Sequence, residues 1–140
     1  MSELLQVYTL CVLVLCLKMF AISCYQGFFR LRSHVFTNPE DAACFNRAAH
    51  TGELLQVVRA SKAWANDLEN IPLFFVIGGL CVVLVTSSEM TAGLFVGFTL
   101  ARMAHTLLYL GGWQPWRTLA YAVGTVCLFG LGGLVACAMI

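Results

Sequence analysis

A chain of 140 residues that is 60% hydrophobic and 11% charged, with a mean hydropathy of +0.83, lies far from the roughly 25% charged content of a soluble domain. The net charge of +1 says nothing for nucleic acid, because the basic residues sit at helix ends and not on a soluble patch, and no nucleic-acid partner is expected. The seven cysteines form no CxxC pair, and His34, His50 and His105 are scattered. No metal site is expected, and the cysteines read as small buried hydrophobes.

Four apolar segments follow along the chain, at residues 4–29, 67–85, 90–110 and 119–140. Each approaches the ~20 residues that cross a bilayer. The second has a short uncharged core and recruits the polar turns before it, so the predicted helices are 4–29, 53–85, 90–111 and 117–140 in one domain. The first has Glu3 in place of a basic flank, carries Lys18, and exceeds the length of a signal-peptide core, so it is read as a mature helix. No long period-two alternation suggests a barrel. The expected fold is an all-α integral membrane protein, a bundle of four transmembrane helices.

Charge sets the expected orientation. Arg30, Arg32, Arg47, Arg59 and Lys62 lie between the first two spans and Arg117 before the fourth, whereas Glu3 and Glu89 mark the other side. The positive-inside rule places both termini on the non-cytoplasmic face of a bacterial inner membrane or an endoplasmic reticulum.

Ionisable residues at the mouth of a span are costly and mark functional sites. Arg59, Lys62, Asn66 and Glu69 recur at steps of three and four before the second apolar core, which puts them on one helix face. Thr99, Arg102, His105, Thr106 and Tyr109 do the same on the third helix, and Arg117, Tyr121 and Thr125 on the fourth, with Thr118 alongside. With Tyr25, Gln26 and Arg30 at the end of the first helix, these clusters converge at the cytoplasmic leaflet. Plainer roles compete. Arg30 and Arg32 also suit headgroup anchoring, Arg102 an ion pair with Asp67 or Glu69, and Trp64, Trp113 and Trp116 the interfacial belt. Gly93 and Gly97, with the glycines of the last helix, suit close helix contacts.

The strings VFTNPED (35–41), ANDLENI (65–71), ARMAHTLLYLG (101–111) and PWR with Tyr121 resemble the membrane-associated family of eicosanoid and glutathione metabolism (MAPEG), in its microsomal glutathione transferase and prostaglandin E synthase branch. The resemblance covers about residues 30–121. It implies a homotrimer with glutathione, the co-substrate, bound between adjacent subunits near the cytoplasmic side. It also implies that Arg30, Arg59, Asn66, Glu69, His105, Tyr109, Arg117, Thr118 and Tyr121 line that site, with Lys62 where arginine is usual and Thr118 where the prostaglandin synthase has serine. Lys62 offers a point charge in place of a bidentate fork.

The chemistry of the ligand agrees. Glutathione brings two carboxylates, an ammonium and a thiol. Arg30, Arg59 and Lys62 suit the carboxylates and Glu69 with Asn66 the ammonium, and Arg102, His105 and Tyr109 are counted with them as glutathione-binding residues. Arg117, with Thr118 and Tyr121 at the opening of a helix, suits the thiolate. The expected function is conjugation of glutathione to lipophilic electrophiles from the membrane, with reduction of lipid hydroperoxides as a further activity. A prostaglandin E synthase-type isomerase and a non-catalytic lipid-binding scaffold are the alternatives.

Overall fold

The computed structural model describes residues 2–84 and 88–140. Among them stand five helices, α1 Glu3–Ser33, α2 Pro39–Cys44, α3 Leu55–Val83, α4 Ser88–Gly111 and α5 Trp116–Ala138, and no strand. Four of these, α2 excepted, are long and apolar enough to cross a membrane. Residues 85–87, where the second predicted helix ends and the following turn begins, lie outside the described residues. Glu89 stands in the first turn of α4.

Helix ends follow local chemistry. Ser2 caps α1 by accepting from the Leu5 amide. α1 continues four residues past its predicted end, with Arg30 and Arg32 in the last turn, and stops at His34, whose left-handed backbone lets its N–H reach the Arg30 and Leu31 carbonyls. Cations there favour the helix dipole, and the left-handed residue ends the ladder. The short α2, absent from the sequence-based expectation, opens with Pro39 and carries Glu40 and Asp41 in its first turn, each a helix-start preference.

In the bundle, α3 and α4 occupy the centre. α1 packs on both, chiefly on α3, and α5 chiefly on α4, while α1 and α5 do not pack on each other. α1 buries Leu4, Cys11, Leu15, Lys18 and Ile22, a stripe at three, four and seven residues that turns one face inward. In the half of the bundle away from the basic residues, Phe74 stacks on Phe98 with ring centroids 4.6 Å apart and meets Phe95 edge-on at 5.6 Å. Tyr8 joins them, donating its hydroxyl to the Phe75 carbonyl at 2.6 Å. It does so because Gly78 leaves room: a Cβ there would fall 2.7 Å from the Tyr8 ring. Gly97 and Gly130 likewise let α4 and α5 approach, through Cys127 and Leu94 respectively, whereas a Cβ on Gly93 would meet nothing within 4 Å. Outside, Leu17, Phe20, Val76, Leu100, Val126 and Phe129 are exposed, an apolar surface of the kind that faces lipid.

Candidate functional site

The polar residues of the third and fourth apolar segments meet where α4 ends and α5 begins. Gly112, with φ of 72°, and the cis peptide Gln114–Pro115 turn the chain so that Arg117, in the first turn of α5, faces back onto α4. Its guanidinium lies over the Tyr109 ring at 4.3 Å, a cation–π contact. The His105 ring is 5.7 Å from that of Tyr109 and 6.2 Å from that of Tyr121. Asn66 of α3 closes the group: Asn66, His105, Arg117, Thr118 and Tyr121 line one cavity of about 210 Å³.

One feature of this cavity fits a binding site. His105 is 4% exposed, yet its Nδ1 has no hydrogen-bond partner among the described residues, and an orphaned buried nitrogen calls for an absent partner. The Arg117 and Thr118 amides are not free for that purpose, since Arg117 N donates to Trp113 O and Thr118 N to Pro115 O. What this end of α5 offers the cavity is its side chains and the field of the helix. Gln114 orders two of them, with its amide oxygen turned toward Arg117, where it accepts from Nε and Nη2, and its amide nitrogen donating to Thr118 Oγ1 at 3.2 Å. A guanidinium only donates, which fixes that orientation. Gln114 carries no sequence signal beyond its place beside Pro115.

Behind the cavity lies a buried ionic cluster. Asp67, fully buried, accepts from Lys18 Nζ at 2.5 Å through Oδ2 and from Arg102 Nε and Nη2 through Oδ1. Arg102 Nη2 also donates to Asn66 Oδ1 at 2.7 Å. Arg102 is 1% exposed and does not line the cavity; of the two roles open to it, the structure shows the ion pair with Asp67 and not with Glu69. It acts on the cavity through Asn66, whose position is held again by Asn70 Nδ2 donating to its carbonyl. The signal for Lys18 in this cluster was present in the sequence, as a lone cation inside an apolar span.

The remaining predicted residues stand outside this lining. Arg30 is held by Glu53, with Nε at 2.8 Å and Nη2 at 2.5 Å from Oε2. Arg59 donates to the Leu110 carbonyl at 3.4 Å and packs so closely on Gly112 that a Cβ there would lie 3.1 Å from it, closing the C-terminal end of α4. Lys62 and Glu69 are exposed on the same edge of α3 as Asn66. Tyr109 is half-buried beneath Arg117. A larger groove of about 700 Å³ between α4 and α5 is apolar, lined by Leu100, Ala104, Trp113, Trp116, Leu119 and others; it shares no lining residue with the cavity at Arg117 and holds no group able to activate a thiol.

Fold and site thus define a multi-pass helical membrane protein with a small cationic, hydroxyl-bearing cavity at one end of the bundle. The chain belongs to the MAPEG family, which it matches over residues 8–137. It is 36% identical to microsomal glutathione S-transferase 1 of Rattus norvegicus over 131 residues, 88% of this chain and 83% of that protein. It is 35% identical to prostaglandin E synthase of Equus caballus over 123 residues, 87% of this chain and 80% of that protein, and 32% identical to the Homo sapiens prostaglandin E synthase.

Proposed function

We propose that the protein is a membrane-bound glutathione transferase that holds glutathione as its thiolate at Arg117 and adds it to apolar electrophiles arriving from the bilayer. The carrying observation is the cavity that gathers Arg117, Thr118, Tyr121, His105 and Asn66. A sulfur placed there meets a guanidinium, two hydroxyls and the N-terminal field of α5. A free thiol of pKa ~8.5 is only a few per cent thiolate at pH 7, so full ionisation raises the reactive fraction by at most roughly 30-fold, part of which is offset by lower nucleophilicity. Holding thiolate and electrophile together supplies the rest.

At about 210 Å³ the cavity falls below the ~300 Å³ at which ordinary ligand pockets begin, too small to enclose a tripeptide. Lys62 and Glu69 face outward beside it. Both observations favour a homotrimer in which a neighbouring subunit completes the site, with Glu69 and Asn66 on the ligand ammonium and Arg30, Arg59 and Lys62 toward its carboxylates. Arg30 reaches a ligand only by releasing Glu53. Conjugation, hydroperoxide reduction and prostaglandin E synthase-type isomerisation share the same thiolate, and the near-equal identity to relatives of both names keeps the isomerase as the second reading. The basic residues of the connections favour a cytoplasmic site and non-cytoplasmic termini.

The test is the reconstituted protein with glutathione and a panel of halonitrobenzenes, hydroperoxides and epoxides, read together with the thiolate absorbance of the bound glutathione against pH. Conjugation with a thiol ionised at pH 7 is expected. Glutathione that binds but remains a thiol at pH 7 would overturn the assignment.

A further inference from the structure

A further cavity lies outside the bundle, where the chain leaves α1 and folds back before α3. It has a volume of about 610 Å³, and its polar lining is Ser33, His34, Arg47, His50 and Thr51, with Val35 and two alanines between them. It shares no lining residue with the cavity at Arg117 or with the apolar groove. The volume falls within the roughly 300 to 1,000 Å³ of ordinary small-molecule sites.

The segment that forms it is held in shape from within. Phe36 is buried and stacks on Phe45 with ring centroids 4.9 Å apart. Beside this pair the His50 amide donates to the Phe36 carbonyl at 2.8 Å, and the Arg47 amide to the Ala42 carbonyl at 3.0 Å, which brings residues 47–51 alongside the end of α1. The His34 ring rests edge-on against Phe45, with centroids 6.2 Å apart. Donors placed in advance spare a ligand the cost of ordering them.

The charge of this cavity is uncancelled. No carboxylate lines it, and Arg47 has no ion pair among the described residues. Of the acids between α1 and α3, Glu53 is taken by Arg30, Asp41 accepts from Asn38 Nδ2, and Glu40 stands in the first turn of α2. One guanidinium, two imidazoles and two hydroxyls, spread over two chain segments, suit an anion with acceptors on several sides. A phosphate monoester carries a charge of about −1.5 to −2 on three strong acceptor oxygens. A carboxylate offers two oxygens in one plane, which a single guanidinium fork already matches.

Depth agrees. Leu31, 53% exposed, is the last large apolar residue of α1, and Ser33 and His34 stand on the order of 3 to 5 Å further along the axis. The polar layer on each side of the hydrocarbon is about 5 to 7 Å thick, so the cavity opens at the level of lipid phosphates and of the adjoining water. We propose that this cavity is a binding site for a phosphate monoester, with Arg47 as its central cation and His34, His50, Ser33 and Thr51 donating to the remaining oxygens.

The test uses the full protein in phosphatidylcholine nanodiscs. One arm titrates glycerol 3-phosphate, read by calorimetry, and the other replaces part of the lipid with phosphatidic acid; amide hydrogen exchange reads both. Slower exchange is expected within residues 33–36 and 46–51. Protection by phosphatidic acid alone places the phosphate on a lipid, and protection by glycerol 3-phosphate places it in solution. Arg47→Gln is expected to weaken the binding about tenfold, the value of a charge-assisted hydrogen bond. His34→Asn, which keeps a residue tolerant of the left-handed backbone, is expected to weaken it roughly threefold. Arg32→Gln removes a cation from the last turn of α1 that does not line the cavity, and is expected to change the binding by less than about twofold. No protection in either arm, wild-type binding by Arg47→Gln, or an equal loss in Arg32→Gln and Arg47→Gln would each overturn the proposal. None of these outcomes depends on glutathione.

Discussion

Two groups of cations lie within a few turns of each other, and they differ in what faces them. Lys18 and Arg102 close on Asp67 in the bundle interior, whereas Arg117 meets an aromatic ring, a glutamine amide and a cavity. The first group has its carboxylate built in. The second has no carboxylate partner among the described residues, and its ring face and neutral amide leave the guanidinium charge uncancelled. A cation whose counterion is internal holds helices together; one whose counterion is missing is available to a ligand. Arg30 belongs with the first group as it stands, because Glu53 occupies it.

The largest expected effect breaks the internal group. Asp67→Asn leaves Lys18 and Arg102 as uncompensated buried charges and is expected to destabilise the bundle by about 3 to 5 kcal/mol, read as a loss of thermal stability in detergent. A variant as stable as the wild type would mean that water, and not Asp67, satisfies the two cations.

Glu69→Gln tests where the ligand extends beyond the cavity. It is expected to weaken glutathione binding about tenfold or more by calorimetry, at about 1.4 kcal/mol per tenfold, with thermal stability and oligomer size unchanged because the side chain is exposed in one subunit. Unaltered affinity would confine the ligand to the five residues lining the cavity.

Arg117→Ala should invert the pattern of Asp67→Asn: little change in stability, and a conjugation rate at neutral pH lower by roughly tenfold. Without the guanidinium the bound thiol pKa rises, so the thiolate fraction falls at pH 7 and returns as the pH climbs through the new value. Rate recovery at alkaline pH is the expected signature. A uniform loss at all pH values would make Arg117 an anchor for the tripeptide.

Tyr109→Leu is the smallest and the finest probe. It removes the ring beneath Arg117, a contact of about 0.5 to 1 kcal/mol at a partly exposed site, and is expected to lower the rate a few-fold while keeping the pH profile. A larger loss would assign Tyr109 a direct contact with the substrate.

Spans, helical class and the two separate polar faces, one with His105 and Tyr109 and the other with Arg117 and Tyr121, were legible in the sequence, because hydropathy and a period of three to four residues are properties of the chain alone. The family was legible for the same reason, as ordered strings such as ANDLENI and ARMAHTLLYLG. What only the tertiary structure decided was partnership. Arg102, Arg30 and Arg59 look alike in sequence as cations on polar helix faces, yet one closes on Asp67, one on Glu53 and one on the Leu110 carbonyl. Lys18 and Asp67 lie 49 positions apart, and nothing local links them. Whether a charge is spent inside the fold or left for a ligand depends on which helices pack together and at what rotation, and that is set by the whole core.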